Sequence, residues 1–152
     1  MWSRRTALFA TFAASVSACG FSPVLIDNTL DGQIAFQIPV DGKSFALRNA
    51  LEDQLGIATG PLLLSFEVTT SEESLAITAD QVTTRFNLVG TVTYTLTNAS
   101  GISLMTGQQR SFTGYSATGN TVSTRTAERD AEARLMVILA GLIVDDLRLK
   151  TR

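Results

Sequence analysis

Arg85-Phe86-Asn87-Leu88-Val89-Gly90-Thr91-Val92-Thr93-Tyr94-Thr95-Leu96-Thr97 is the stretch whose reading decides the fold. Phe86, Leu88, Val92, Tyr94 and Leu96 fall on one side of a period-two pattern, with Gly90 among them. Asn87, Thr91, Thr93, Thr95 and Thr97 fall on the other. A β-strand sends successive side chains to opposite faces, so this is a strand with one buried and one wet face. A wet face is the mark of an antiparallel sheet covered on one side only.

Asn98-Ala99-Ser100-Gly101 then reads as a turn. A further strand is expected from Ile102-Ser103-Leu104 to about Tyr115, with a bulge near Met105-Thr106-Gly107, where the alternation breaks. Upstream, Leu62, Leu64, Phe66 and Val68 share a face of a strand over 62–69. Glu72-Glu73 follows in a polar stretch expected to be a solvated hairpin. Ile34, Phe36 and Ile38 alternate in a first strand closed by Pro39.

Two helices complete the order. Asp41 or Ser44 can cap a helix whose Leu47, Leu51 and Leu55 recur every fourth residue, with Ala50 beside them. Arg48 and Glu52 form an i,i+4 pair, and Gly56 stands where a helix C′ glycine belongs. The last helix is expected over 123–149, capped within Thr124 to Glu128. Its Leu135 to Val144 run is apolar all round and too short to span a bilayer. Such a run is either buried between sheet and helix or has a second face that meets a partner or lipid, with Met136, Val137, Ala140 and Val144 as the candidate contacts. Strand, helix, three strands, helix gives an α+β two-layer sandwich: about four mainly antiparallel strands with two helices on one face.

Composition narrows the function. The 152 residues hold 12 Lys+Arg, 14 Asp+Glu, no His and one Cys, for a formal charge of −2. That balance argues against nucleic acid as a partner, which calls for a basic face. Without His or paired thiols the chain lacks the commonest general base and the usual zinc ligands. No catalytic residue, metal or cofactor is expected. Glu72 and Glu73 are adjacent and would point to opposite strand faces, so they cannot act as a carboxylate pair. Asp145-Asp146 lies late in the last helix, against the dipole, with Arg148 and Lys150 near enough to offset it. Lys43 and the many serines would permit a Ser–Lys hydrolase, but nothing marks one.

The single Cys is the most informative residue. Arg4 and Arg5 precede an apolar Ala7–Ala14 segment, and residues 1–18 have the three parts of an export signal. Ser3-Arg4-Arg5-Thr6-Ala7-Leu8 also resembles a twin-arginine motif, with a plain Sec n-region as the other reading. Val16-Ser17-Ala18-Cys19 resembles the bacterial lipobox, with cleavage between Ala18 and Cys19 and acylation of the Cys19 thiol and freed amine. Gly20 at the next position resembles the pattern for release to the outer membrane. Residues 19–31 are then a lipidated tether and 32–152 a single domain. Loss of Arg4 and Arg5 takes the formal charge from −2 to −4.

Cys19-Gly20-Phe21-Ser22-Pro23, followed by this order of elements, resembles the LPS-assembly lipoprotein family, LptE, in its alphaproteobacterial form. The resemblance implies a lipoprotein, not an enzyme, that sits in the outer membrane inside the barrel of LptD and assists insertion of lipopolysaccharide. It supplies no local motif for the lipid contacts. Arg85, Arg110 and Arg125, each at or near the end of an element, are the candidates for lipid A phosphates. The competing reading is an auxiliary lipoprotein of an ABC-type lipid transporter.

Overall fold

A computed structural model of the chain describes residues 30–57, 60–77, 83–117 and 120–151. The export signal, the lipobox with Cys19 and nearly all of the tether lie outside the described residues. The elements are β1 (Ile34–Phe36), α1 (Gly42–Leu55), β2 (Leu62–Ile77), β3 (Thr83–Thr97), β4 (Ser103–Ser116) and α2 (Thr121–Lys150). The four strands form one sheet in sequence order. β2, β3 and β4 pair antiparallel, and β1 pairs parallel to β2 because α1 carries the chain back between them. The expected α+β architecture is what the chain adopts.

β1 is shorter than its alternation suggests. After Phe36 the Gln37 N–H still donates to Leu64 O at 3.1 Å. The Gln37 side-chain amide then takes the place of the next backbone unit: Nε2 donates to Phe66 O at 2.7 Å, and Oε1 accepts from Phe66 N–H at 3.2 Å. With the edge satisfied by a side chain, the backbone leaves the sheet. Ile38, expected beside Ile34 and Phe36, is 83% exposed.

β2 is longer than expected. It runs through Glu72 and Glu73 to Ile77, and these residues pair with Leu88 and Asn87 instead of turning. The irregularity in β4 also sits elsewhere. Leu96 faces Met105 while Thr97 faces Ser103, so Leu104 is the extra residue. Gly107 breaks the alternation for another reason: it lies opposite Tyr94, and a Cβ there would run into the Tyr94 ring. The ring is 1% exposed and its hydroxyl donates to Asp146 Oδ2 of α2. Lys150 Nζ donates to the same carboxylate oxygen at 2.6 Å.

Asp41, not Ser44, caps α1, its Oδ1 accepting from Ser44 N–H at 2.7 Å. That bond holds the Asp41 carboxyl below the ordinary carboxylate range. α2 starts two residues before its expected first residue, because Asn120 Oδ1 accepts from Ser123 N–H at 2.9 Å. Near its other end Lys150 pairs with Asp146, while Arg148 reaches Asp31 at 3.8 Å.

The core lies between the helices and one sheet face. Leu47, Leu51 and Leu55 of α1 meet Leu135, Leu139, Ile143 and Leu147 of α2 over Leu64, Val92, Tyr94 and Leu96. Gly90 lets α2 come close: a Cβ there would lie 2.9 Å from both Leu135 Cδ2 and Leu139 Cδ1. The other sheet face carries the threonine row and is not covered by the helices. No described helix is long and apolar enough to cross a membrane.

Candidate lipid-contact cleft and partner surfaces

The three candidate arginines do not converge. Arg85 opens the regular part of β3 opposite Ser116, and Arg110 lies on β4 opposite Thr91. Both fall on the uncovered face, six residues apart along the strands, which is about 20 Å. Arg125 stands on α2, in the helical layer. All three side chains are exposed. Among the described residues none has a carboxylate within ion-pair distance.

Of the three, Arg85 lines a described cleft. Leu75, Arg85, Phe86, Asn87, Gly114, Tyr115 and Ser116 enclose about 370 Å³ at the tip of the β2–β3–β4 sheet. The Phe86 and Tyr115 rings stack with centroids 5.3 Å apart and planes 16° from parallel. Burial pushes the Tyr115 hydroxyl up to about 12, helped by its hydrogen bond to Glu72 and by the nearby Glu128 charge. Tyr115 therefore stays a neutral donor at physiological pH. Arg85 and Asn87 give the cleft one guanidinium and one amide on the uncovered face, while the Phe86 and Tyr115 rings lie on the helix side, Tyr115 near Glu128 of α2. Glu72 and Glu73 point to opposite faces, and only Glu72 meets the Tyr115 hydroxyl.

A second cleft, of about 510 Å³, opens between the start of α1 and the first half of α2. Lys43 and Arg129 stand at it, above Ala46, Val68 and Ala133. Lys43 is already engaged: its Nζ donates to Thr70 Oγ1 and lies 3.9 Å from Glu132 Oε1. Arg129 was not among the sequence candidates; its spacing of four from Arg125 was the signal.

The apolar run in α2 divides into two faces. Met136 is 1% exposed, Ala140 0% and Val144 1%, all held in the core against α1 and the sheet. They are closed to a partner because the i,i+4 stripe they form faces inward. Val137 at 57% is open, and Ile138 and Leu142 join it on the outside.

The comparisons agree with this architecture. The family model described as LptE, lipopolysaccharide-assembly, matches residues 33–147. No curated protein sequence matches the chain. Among solved structures, a candidate lipoprotein of Caulobacter crescentus superposes with a TM-score of 0.69 at 20% identity, covering 82% of this chain and 93% of that one. A minor lipoprotein of Acinetobacter baumannii gives 0.62 at 17% identity, covering 79% and 92%. The rare lipoprotein B of Shewanella oneidensis gives 0.59 at 8% identity, covering 78% and 94%. At such identities these three share the fold with this chain.

Proposed function

Because the chain belongs to the LptE lipopolysaccharide-assembly family, we propose that it is an outer-membrane lipoprotein that partners the LptD β-barrel and assists insertion of lipopolysaccharide at the cell surface. The observation that carries this is the family match over residues 33–147, which takes in every strand and nearly all of both helices. The lipobox ending at Cys19 supplies the anchor, and Gly20 favours the outer membrane. The protein works by contact, as a prop for its partner and a surface for lipid, with no covalent step.

Of the three arginines, Arg85 is the one we assign to lipopolysaccharide. It stands in a cleft with Asn87, Gly114 and Ser116 on the uncovered face, where a phosphate meets the guanidinium with an amide beside it. Arg110 and Arg125 line neither of the two clefts described. On α2 the partner contact passes to Val137, Ile138 and Leu142.

Depletion in the source cell tests the proposal. Surface labelling of lipopolysaccharide is expected to fall while the lipid accumulates behind the outer membrane. Unchanged surface labelling after full depletion would sink it.

A further inference from the structure

Exposed aliphatic side chains gather at one end of the domain. Leu63, near the start of β2, pairs with Thr97, and Thr97 pairs with Ser103, which stands between Ile102 and Leu104. Ile57 follows Gly56, the C-cap of α1, and Leu149 lies in the last turn of α2. α1 ends at this level, because Gly32 N–H, just before β1, donates to Leu55 O at 3.0 Å. α2 ends there too, because Arg148 reaches Asp31 of the same turn. Ile57 is 86% exposed, Leu149 68% and Ile102 61%, with Leu63 and Leu104 exposed beside them.

Hydrogen bonds hold these positions, so their exposure is built into the fold. Asn98 N–H donates to Ile102 O at 3.0 Å, and Asn98 Oδ1 accepts from Ile102 N–H at 2.9 Å. Gly56 N–H donates to Glu52 O at 2.8 Å. Thr151 N–H and Oγ1 both donate to Leu147 O, at 3.1 and 2.8 Å, closing the turn that carries Leu149. Aliphatic side chains gathered in water favour contact with an apolar phase.

The route of the chain identifies that phase. Leu30 is buried at this end, and its carbonyl accepts from Gln33 N–H at 3.0 Å. The residues that precede it therefore join the domain here. Cys19 lies eleven residues before Leu30, a reach of at most about 40 Å. An acylated Cys19 keeps this end within that distance of a bilayer, where a weak contact is made at high effective concentration. Arg148 and Lys150 are already paired with Asp31 and Asp146, so the contact is apolar and does not call for an anionic surface. We propose that this end of the domain rests on the phospholipid bilayer that holds the Cys19 anchor, with Ile57, Ile102 and Leu149 entering the headgroup layer. Val137, Ile138 and Leu142 stay free for the barrel. The Arg85 cleft, twelve residues along β3 from Thr97, stands about 40 Å away.

The contact rests on the Cys19 anchor of the proposed function and needs neither barrel nor lipopolysaccharide. It is tested with the full acylated chain in vesicles of phosphatidylethanolamine and phosphatidylglycerol. Cys19 is the only thiol in the chain and is blocked by its lipid, so a cysteine placed elsewhere takes a fluorescent label alone. Labels at Ile57→Cys, Ile102→Cys and Leu149→Cys should each lose emission about twofold when the vesicles carry a spin label at headgroup depth. The loss should persist in high salt. Val122→Cys, exposed at the start of α2 and about 40 Å from Leu149 along the helix, should lose none. Ile57→Asp together with Leu149→Asp should return the Ile102→Cys label to the Val122→Cys level. These positions are exposed, so the variants should keep the melting temperature of wild type. Equal quenching at all four sites, or none at any site while the chain floats with the vesicles, would overturn the contact alone. A chain that does not float with the vesicles would overturn the anchor and the contact with it.

Discussion

Cys19→Ser, made behind an ordinary cleavable export signal in place of residues 1–18, is expected to move the protein from the membrane pellet to the soluble fraction. Each acyl CH₂ buried in a bilayer contributes about 0.8 kcal/mol, and two or more chains make an anchor stable where one is reversible. The thiol at Cys19 is the only one in the chain, so no other residue can take a thioether-linked lipid. No described helix is long and apolar enough to cross a membrane. Serine is near cysteine in size but gives no thioether, so once the signal is removed no acyl chain holds the mature chain to the bilayer. Fractionation and intact mass read the result directly. A Cys19→Ser chain that stays in the pellet after a high-salt wash, with the wild-type mass, would contradict the lipoprotein reading.

Gly107→Val is expected to destabilise the domain by about 3 kcal/mol, at the upper end of overpacking costs. The position looks tolerant in sequence, since it lies on an edge strand. In the fold it is the floor under the Tyr94 ring. That ring cannot swing away, because it is 1% exposed and its hydroxyl is bonded to Asp146. Burial and the Asp146 bond also hold the Tyr94 pKa well above the ordinary tyrosine value. A valine Cβ would push the ring out of line, breaking the link from sheet to α2. At roughly 3–4 °C per kcal/mol for a domain of this size, the melting temperature should fall by about 10 °C. The mechanism is checked by a double-mutant cycle. With Tyr94→Leu already in place, Gly107→Val should cost less than half as much, since the clashing ring is gone. Equal costs in both backgrounds would show that the glycine acts through its own backbone.

These residues also show which parts of the molecule can be read from sequence. β3 was legible because its period-two alternation is local and complete. α1 was legible because Asp41, its leucine spacing and Gly56 act within a few residues of one another. The extension of β2 through Glu72 and Glu73 was not. There the strand is held by pairing with Leu88 and Asn87, which are distant in sequence, while two adjacent glutamates read locally as a turn. The break in alternation near Met105-Thr106-Gly107 reads locally as a bulge, because the ring that needs the space at Gly107 comes from β3. Ile38 was assigned to β1 because nothing local shows that the Gln37 side chain finishes the pairing.

The candidate surfaces divide in the same way. Arg85 was singled out for its place at a strand start. What separates it from Arg110 and Arg125 is the cleft, made by residues of three strands. In α2 an all-apolar run has no periodicity from which to choose a face. The run therefore leaves Met136, Ala140 and Val144 open to either core or partner in the sequence, and in the fold contact with α1 and the sheet encloses them. Val137, Ile138 and Leu142 are left outside by the same packing.

The central claim is that this domain works in lipopolysaccharide assembly as the partner of an outer-membrane barrel. It is tested most directly by isolating the tagged full chain from detergent-solubilised outer membranes and identifying what comes with it by mass spectrometry. The account predicts a large β-barrel protein in near-equal amount, together with lipopolysaccharide. Recovery of the chain with an inner-membrane ATPase complex, or without any barrel after mild crosslinking, would contradict it.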